Sequence, residues 1–284
     1  MQRGARKGSS FALYDRLRAG RGKNATMELI CDDLVDEHNS LDQMVSVLTE
    51  QQWNTPTAAR GWTVRDQVSH IWFFDQRALM AITDPSAFAA DAAALMAGRG
   101  TDASIDIGRA VSGAEMVDRW RTDRATLIQH ARVVDPSVRV PWYGPAMGAR
   151  SFVTARLMET WAHGQDVADA LDVQRVPTDR LRHVAHIGVR ARPFSYAINA
   201  LPTPEADVYV ALSAPDGATV TWGAPDSADT VRGPMLDFCL VVTQRRHRDD
   251  TALEVSGDAA TEWISIAQAF AGPPGSGRTP GQFS

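Results

Sequence analysis

Two stretches of the sequence carry residue types that could bind a metal ion. The first, residues 157–166, contains Glu159 and His163, which are four residues apart and would project from the same face of a helix. This spacing presents a carboxylate oxygen and an imidazole nitrogen to one point, as a divalent metal ion requires. Asp166 lies three residues further along the same stripe and could be another ligand or a residue that orients one. An ordinary polar pair on a solvated helix face has the same spacing, and this stretch alone favours that simpler interpretation.

The second stretch, residues 61–70, supplies a histidine from another part of the chain. It reads GWTVRDQVSH, so that His70 lies among apolar neighbours. Thr63 and Asp66 have the spacing of a capping box, which predicts a helix from there to about residue 82. His70 would lie within that helix, and its presence favours the metal interpretation of the first stretch.

Together, His70, Glu159 and His163 offer two nitrogens and one oxygen from two helices. A structural zinc site is usually closed by four protein ligands, whereas three ligands leave a position for water or a substrate. With one negative charge among the ligands, a bound divalent ion stays net positive and can make a bound water or thiol ionise near neutral pH. We therefore expect a divalent-metal site. The ligand geometry favours zinc, and the ligand types also suit nickel, iron or manganese.

Apolar residues at three- and four-residue steps predict helices over most of the first 200 residues. The expected helices span residues 28–50, 63–82, 85–96, 112–134, 151–171 and 178–200. Residues 135–149 contain three prolines and cannot be helical throughout. Trp142 and Tyr143 lie in this segment, and they could wall the open metal position or pack an irregular connection. We favour the wall, because the segment leads directly into the helix of Glu159 and His163.

The pattern changes near residue 203 from helical spacing to the alternation of strands. Expected strands at 208–212, 219–222, 230–232 and 252–255 alternate with expected helices at 235–246 and 259–271. The sequence therefore predicts an α+β fold of two domains. These are a helical domain over residues 27–202 and a small α+β domain over residues 203–275, followed by a flexible tail at 276–284.

The first 26 residues differ in charge from the rest of the chain. They carry seven basic side chains against one acidic, while the remainder has 22 basic and 33 acidic side chains and a net charge of −11. Such an acidic body repels polyphosphate, so we expect no nucleic-acid partner. The Gly-, Ser- and Arg-rich segment 1–26 is typical of a disordered tail. A transit peptide, or an upstream start codon with Met27 as the natural first residue, would also explain it.

The composition indicates a protein of a reducing, aqueous compartment. No apolar run approaches the roughly 20 residues of a membrane helix, so we expect no membrane partner. The first segment lacks the apolar region of a secretory signal. Cys31 and Cys239 lie in apolar helical patterns, where a cysteine acts as a small buried hydrophobe. We therefore expect a cytoplasmic protein.

Residues 27–200 resemble the DinB-like four-helix-bundle superfamily, and specifically the metal-binding domain of mycothiol-dependent maleylpyruvate isomerases. The resemblance rests on the GWTVRD motif followed by His70, and on Glu159-x-x-x-His163-Gly164 about ninety residues later. It implies a zinc ion held by His70, Glu159 and His163, which binds and activates the thiol cofactor mycothiol. The C-terminal part resembles the small α/β domain, akin to sterol carrier proteins, that follows the bundle in such isomerases. It also resembles a domain named for wyosine base formation.

The resemblance also implies an arginine from the C-terminal domain, which no motif identifies in this chain. Arg232, Arg245 and Arg246 lie in the right region. A solvated helix end or strand edge explains each of them equally well, so the sequence assigns no catalytic residue.

Two functions from different classes follow from these features. The first is a thiol-dependent transferase or isomerase that acts on a small electrophile and takes a small-molecule thiol as its partner. The second is a non-catalytic protein with a structural metal and a bound small apolar ligand. The ligand count discriminates between them, because a structural metal would have Asp166, His38 or another side chain in the fourth position. The sequence contains no nucleophile-elbow, Walker or Rossmann pattern that would favour a third class.

Overall fold

The computed structural model of the chain describes residues 23–98 and 100–283, with ten α-helices and six strands in those ranges. The helices are α1 (Lys23–Val45), α2 (Val64–Thr83), α3 (Pro85–Ala97), α4 (Asp106–Arg109), α5 (Gly113–Val133), α6 (Ala149–Ala170), α7 (Leu181–Arg190), α8 (Arg192–Ile198), α9 (Met235–Val242) and α10 (Asp258–Ile266). The strands are β1 (Arg139–Val140), β2 (Met147–Gly148), β3 (Val208–Ser213), β4 (Thr219–Trp222), β5 (Asp229–Pro234) and β6 (Glu254–Ser256).

The four long helices α1, α2, α5 and α6 form the predicted bundle. Each packs against two others, α1 and α2 both lying against α5 and α6. Their apolar stripes meet in the interior, where Trp120 of α5 is fully buried. The helix of His70 therefore lies beside the helix of Glu159 and His163, as the proposed site requires.

Helix α2 begins as the capping-box spacing predicts. The backbone N–H of Thr63 donates to a carboxylate oxygen of Asp66 at 2.9 Å. Arg109 then donates to both oxygens of Asp66, at 2.8 and 2.9 Å. The carboxylate of Asp66 thus accepts hydrogen bonds both from a backbone N–H that has no partner within the helix and from the guanidinium of Arg109. These bonds connect the start of α2 to helix α4.

Several predictions for the helices and for the segments between them are wrong. Helices α9 and α10 end at Val242 and Ile266, earlier than the predicted residues 246 and 271. Helix α1 begins and ends about five residues earlier than predicted, because the chain turns after residue 45 and buries Trp53 in a short 3₁₀ helix. The helix predicted over 178–200 is broken into α7 and α8, since Pro193 near the start of α8 cannot continue a preceding helix. The segment between the helices predicted over 85–96 and 112–134, for which no element was predicted, holds a 3₁₀ turn, Gly100–Ile105, followed by α4.

The C-terminal part forms a four-stranded sheet in the order β4-β3-β5-β6. Strands β3 and β5 are parallel, with Val210 opposite Val231, and the outer strands are antiparallel to their neighbours. Helix α9 follows β5 and helix α10 follows β6, which confirms the predicted α+β class and the order of elements.

One apolar core runs from the bundle into this sheet. Helix α7 packs on α9, and the lack of a side chain at Gly188 makes the contact possible. A Cβ at that position would lie 2.7 Å from a methyl carbon of Val242 and 3.0 Å from the ring of Phe238. The division into domains 27–202 and 203–275 stays a prediction, because the two halves share this core.

The two ends of the chain were predicted to be tails. The prediction for residues 1–26 falls mostly outside the described residues, and the described part from Lys23 belongs to α1. The segment 276–283 lies against the rest of the protein. Arg278 donates to Asp166 at 2.7 Å, and the backbone N–H of Gly281 donates to Asp250 at 2.7 Å.

No helix within the described ranges is both long and apolar enough to cross a membrane. Cys31 and Cys239 are fully buried, as their apolar surroundings in the sequence predict. Burial raises the pKa of the Cys31 thiol to about 11 and holds the pKa of the Cys239 thiol well above its usual value. Both thiols are therefore protonated at neutral pH and are poor nucleophiles.

Candidate metal centre

His70, Glu159 and His163 come together between helices α2 and α6. One potential ligand atom from each lies within 4.8 Å of the other two. The imidazole rings of His70 and His163 are 4.5 Å apart between centroids, and Nε2 of His163 is 3.5 Å from a carboxylate oxygen of Glu159. Three donor atoms this close can converge on a single cation.

The second nitrogen of each imidazole has its own hydrogen-bond partner. Nδ1 of His163 lies 2.6 Å from Oε1 of Gln67, and Nδ1 of His70 lies 2.8 Å from Oγ of Ser104. Nε2 is therefore the nitrogen that each ring can offer to a metal. Partners of this kind fix the orientation of a metal-ligating histidine.

Burial keeps both imidazoles neutral. It lowers the pKa of His163 to about 3, with a further lowering by the nearby charge of Arg245. Burial likewise holds the pKa of His70 well below its usual value, and the neighbouring His163 acts in the same direction. A neutral imidazole has a free lone pair, so neither ring has to lose a proton at pH 7 before it binds a metal ion.

Aromatic side chains enclose the pair of histidines. The ring of Trp62 lies 5.1 Å from that of His70 and is stacked at 6.1 Å on His163, while Phe74 lies 4.6 Å from His70. Trp142 and Tyr143 contact Phe74, with ring centroids 6.1 and 5.5 Å from its own. The segment of Trp142 and Tyr143 thus packs against an aromatic side chain that contacts His70.

Asp166 does not join the three ligands. Its two carboxylate oxygens accept hydrogen bonds from Arg245 at 2.9 Å and from Arg278 at 2.7 Å. His38, the other residue that could have closed the site, lies 3.5 Å from Asp75 in the bundle interior. Among the described residues, the His, Cys, Asp and Glu side chains close enough to share one ion number three.

The three candidate arginines have different surroundings. Arg232 is exposed and lies over the ring of Tyr209. Arg246 donates to Asp169 at 2.7 and 2.8 Å. Arg245 is buried, and its charge contributes to the lowered pKa values of both histidines. Arg245 is therefore the one of the three that acts electrostatically on the site.

A cavity of about 950 Å³ extends from Glu159 between the bundle and the C-terminal half. Trp142, in the connection between β1 and β2, and Trp222 of strand β4 both line it. Arg150 and Arg190 also line it, and their guanidinium groups make no hydrogen bond or ion pair within the described part of the chain. The volume suits a small molecule of cofactor size, and the two free cations suit an anionic group on it.

Comparison with known proteins agrees with this architecture. The sequence model for the mycothiol maleylpyruvate isomerase N-terminal domain matches residues 34–168. Two uncharacterized proteins from two strains of Mycobacterium tuberculosis are each 45% identical over 249 residues, which is 87% of this chain and 96% of theirs. The chain belongs to the mycothiol maleylpyruvate isomerase N-terminal domain family.

The solved structures of the same family show the same fold. The crystal structure of a mycothiol-dependent maleylpyruvate isomerase aligns with a TM-score of 0.55 at 14% identity, covering 80% of this chain and 92% of that one. A histidine-to-alanine variant of that isomerase aligns with a TM-score of 0.52 over the same shares of the chains. The family resemblance inferred from the sequence is confirmed. The likeness of the C-terminal half to sterol carrier and wyosine-formation domains stays a prediction.

The residues present fit a zinc ion at this point of the family fold. Two neutral imidazoles and one carboxylate are the donor types of a catalytic zinc site with an open position. Glu159 also lines the cavity, so the cavity adjoins the candidate metal site.

Sequence reasoning missed the residues that orient the ligands. Gln67 lies three residues before His70 on helix α2, so its position on the same face was visible. Ser104 lies between two predicted helices, in a segment that no local pattern marks. Trp62 belongs to the GWTVRD motif, which carried the resemblance but had no physical role until the structure placed it against both histidines.

Proposed function

We propose that this protein binds one zinc ion through His70, Glu159 and His163 and activates a low-molecular-weight thiol of the mycothiol type. The thiol is then transferred to a small electrophile or used to isomerise it. The observation that carries the proposal is the convergence of three donor atoms within 4.8 Å, with no fourth carboxylate, cysteine or histidine of the described residues near enough to close the site.

Zinc at this position would supply a positive charge that lowers the pKa of a thiol and favours its thiolate. The side chains of the protein do the rest. Glu159 contributes the one negative charge of the ligand set and leaves the bound ion net positive. Trp62 and Phe74 exclude water from the histidine side, which strengthens the electrostatic attraction between the cation and an anionic sulfur.

The cavity next to Glu159 has room for the parts of the thiol and of the substrate that would not contact the metal. Trp142 and Trp222 offer apolar surface from two sides, and Arg150 and Arg190 offer free guanidinium groups. Arginine binds carboxylates through paired hydrogen bonds. We therefore assign the cavity to the body of the thiol cofactor and to the electrophilic substrate.

The test is calorimetric titration of mycothiol, with glutathione as the control thiol, into zinc-loaded and metal-stripped protein. We expect mycothiol to bind the zinc-loaded form and to bind the stripped form at least tenfold more weakly. Equal affinity for the two forms would favour the non-catalytic alternative, in which the metal is structural. Absence of binding to both forms would remove the thiol from the proposal.

A further inference from the structure

Gln67 holds His163 in place through a chain of hydrogen bonds whose direction can be assigned. The side chain of Gln67 is fully buried on helix α2. Its Oε1 lies 2.6 Å from Nδ1 of His163, and its Nε2 donates to Oγ1 of Thr57 at 2.9 Å. The hydroxyl of Thr57 in turn donates to the backbone carbonyl of Trp62 at 3.0 Å.

The proton count along this chain fixes the tautomer of the histidine. A carbonyl oxygen can only accept, so the single hydroxyl hydrogen of Thr57 is used on Trp62. Oγ1 of Thr57 must therefore accept from the amide nitrogen of Gln67, which turns the amide oxygen towards His163. An amide oxygen also only accepts, so Nδ1 of His163 carries the hydrogen and Nε2 carries the lone pair that faces Glu159.

We propose that Gln67 is a positioning residue of the metal centre. Its amide oxygen selects the Nδ1–H tautomer of His163, and because the amide is neutral, Nε2 of His163 remains a moderate electron-pair donor to a metal ion. The inference rests on the proposed function, because it assigns a role towards the bound metal. It concerns a residue for which neither the family motifs nor the ligand set gives a role.

The neutral amide has a specific consequence for the metal. A carboxylate in this position would pull the Nδ1 hydrogen more strongly and make Nε2 a better donor. The ion would then bind more tightly and would keep less positive charge for a further ligand. A glutamine orients the ring equally well and leaves the ion the stronger Lewis acid.

Three variants separate these effects. Gln67→Leu removes the acceptor, and we expect roughly 10–100-fold weaker zinc affinity in chelator competition. Gln67→Glu keeps an acceptor, and we expect zinc affinity equal to or above that of the wild type. Gln76→Leu is the matched control, because Gln76 is a partly buried glutamine on the same helix that donates to Asp123 at 2.8 Å, away from the ligands. We expect it to bind zinc as the wild type does.

The readout specific to positioning is the imidazole ¹⁵N spectrum of metal-free protein. In the wild type and in Gln76→Leu, we expect the protonated nitrogen of His163 to be Nδ1. In Gln67→Leu, we expect a mixture of the two tautomers. Circular dichroism confirms that each variant is folded, and Gln67→Glu carries the test if Gln67→Leu does not fold.

The outcomes distinguish this inference from the proposed function. A wild-type protein with the Nε2–H tautomer, or a folded Gln67→Leu with unchanged tautomer and zinc affinity, overturns the role of Gln67 and leaves the metal site intact. A tenfold or greater loss of affinity in Gln67→Glu also overturns it. Failure of the wild type itself to bind zinc overturns the proposed function and the inference together.

Discussion

Oδ2 of Asp166 lies 2.9 Å from Nη2 of Arg245, and this buried ion pair joins the helix of the proposed metal ligands Glu159 and His163 to the C-terminal half of the chain. Arg278 binds the other oxygen of the same carboxylate at 2.7 Å. One carboxylate therefore holds two arginines that come from different C-terminal segments. Because Asp166 is one helical turn beyond His163, these contacts also set the position of that ligand.

The first prediction concerns the ion pairs of Asp166 with Arg245 and Arg278. Asp166→Asn leaves Arg245 and Arg278 with no compensating charge, and both are largely buried. We expect a loss of about 3–5 kcal/mol in the free energy of unfolding, measured by urea denaturation at pH 7. Glu115→Gln is the control, since Glu115 forms an exposed ion pair with Arg119, and we expect no measurable change. Equal stability of Asp166→Asn and the wild type would show that these ion pairs contribute nothing to the free energy of unfolding.

The second prediction concerns the metal content. Purified protein is expected to hold one zinc ion per chain, and His163→Ala is expected to lose it, since two remaining ligands chelate weakly. The measurement is elemental analysis after dialysis. His183→Ala is the matched control, because His183 is a partly buried histidine that pairs with Asp33 at 2.7 Å, outside the three-ligand cluster. Full zinc retention in His163→Ala would contradict the assignment of the site.

The third prediction concerns protons released when zinc binds. A lowered pKa means that the imidazole is already neutral, and the pKa of His163 is about 3 while that of His70 is also well below its usual value. Two ordinary histidines of pKa ~6.5 would together release about 1.5 protons at pH 6. We expect release close to zero, measured by calorimetry in buffers of different ionisation enthalpy. Release above one proton would show that the histidines are protonated before the metal binds.

The fourth prediction concerns the buried carboxylate of Asp75. Burial alone would raise its pKa, but Arg156 at 3.0 Å, His38 at 3.5 Å and the N–H of Trp120 at 3.0 Å outweigh it and lower the pKa to about 2. A lowered pKa stabilises the folded state above the unfolded pKa of ~3.9, and this stability is lost as the pH falls towards 2. We expect the wild type to lose about 1 kcal/mol from this group between pH 5 and pH 3.

Asp75→Asn tests the origin of this pH dependence. The variant is expected to be less stable at pH 7, since Arg156 is left buried without its partner. The difference between the variant and the wild type should then shrink as the pH falls, which urea unfolding at pH 7, 5 and 3 would show. A difference that stays constant over this range would mean that Asp75 does not titrate there.

The fifth prediction concerns the connection between the two halves. Residues 201–206 lie between α8 and β3 outside any helix or strand, and we expect limited proteolysis to cut there. The two fragments should remain together on gel filtration, because α7 packs on α9 across the boundary. A stable product that begins within α5 would contradict the predicted division into domains.

Much of this fold could be predicted from the sequence. Apolar residues at helical spacing indicated the helices of the first 200 residues, and alternation after residue 203 indicated the sheet, because these periods follow directly from backbone geometry. That the long helices form a four-helix bundle was implied by the family resemblance. The errors lie at helix ends and at Pro193. There a tertiary contact or a single proline ends the helix, although the apolar residues continue at helical spacing. His70, Glu159 and His163 could be named because their spacing and the GWTVRD motif are local features.

The tertiary structure alone decided what the other polar residues do. On the sequence, Asp166 shares a helical stripe with the ligands and could have been one of them. It binds Arg245 and Arg278 instead, which are 79 and 112 residues away along the chain. The partner of a buried polar group is whichever complementary group the folded chain brings within about 3 Å, and no local pattern encodes that distance. For the same reason, Gln67 is one glutamine among several in the sequence and the orienting partner of a ligand only in the fold.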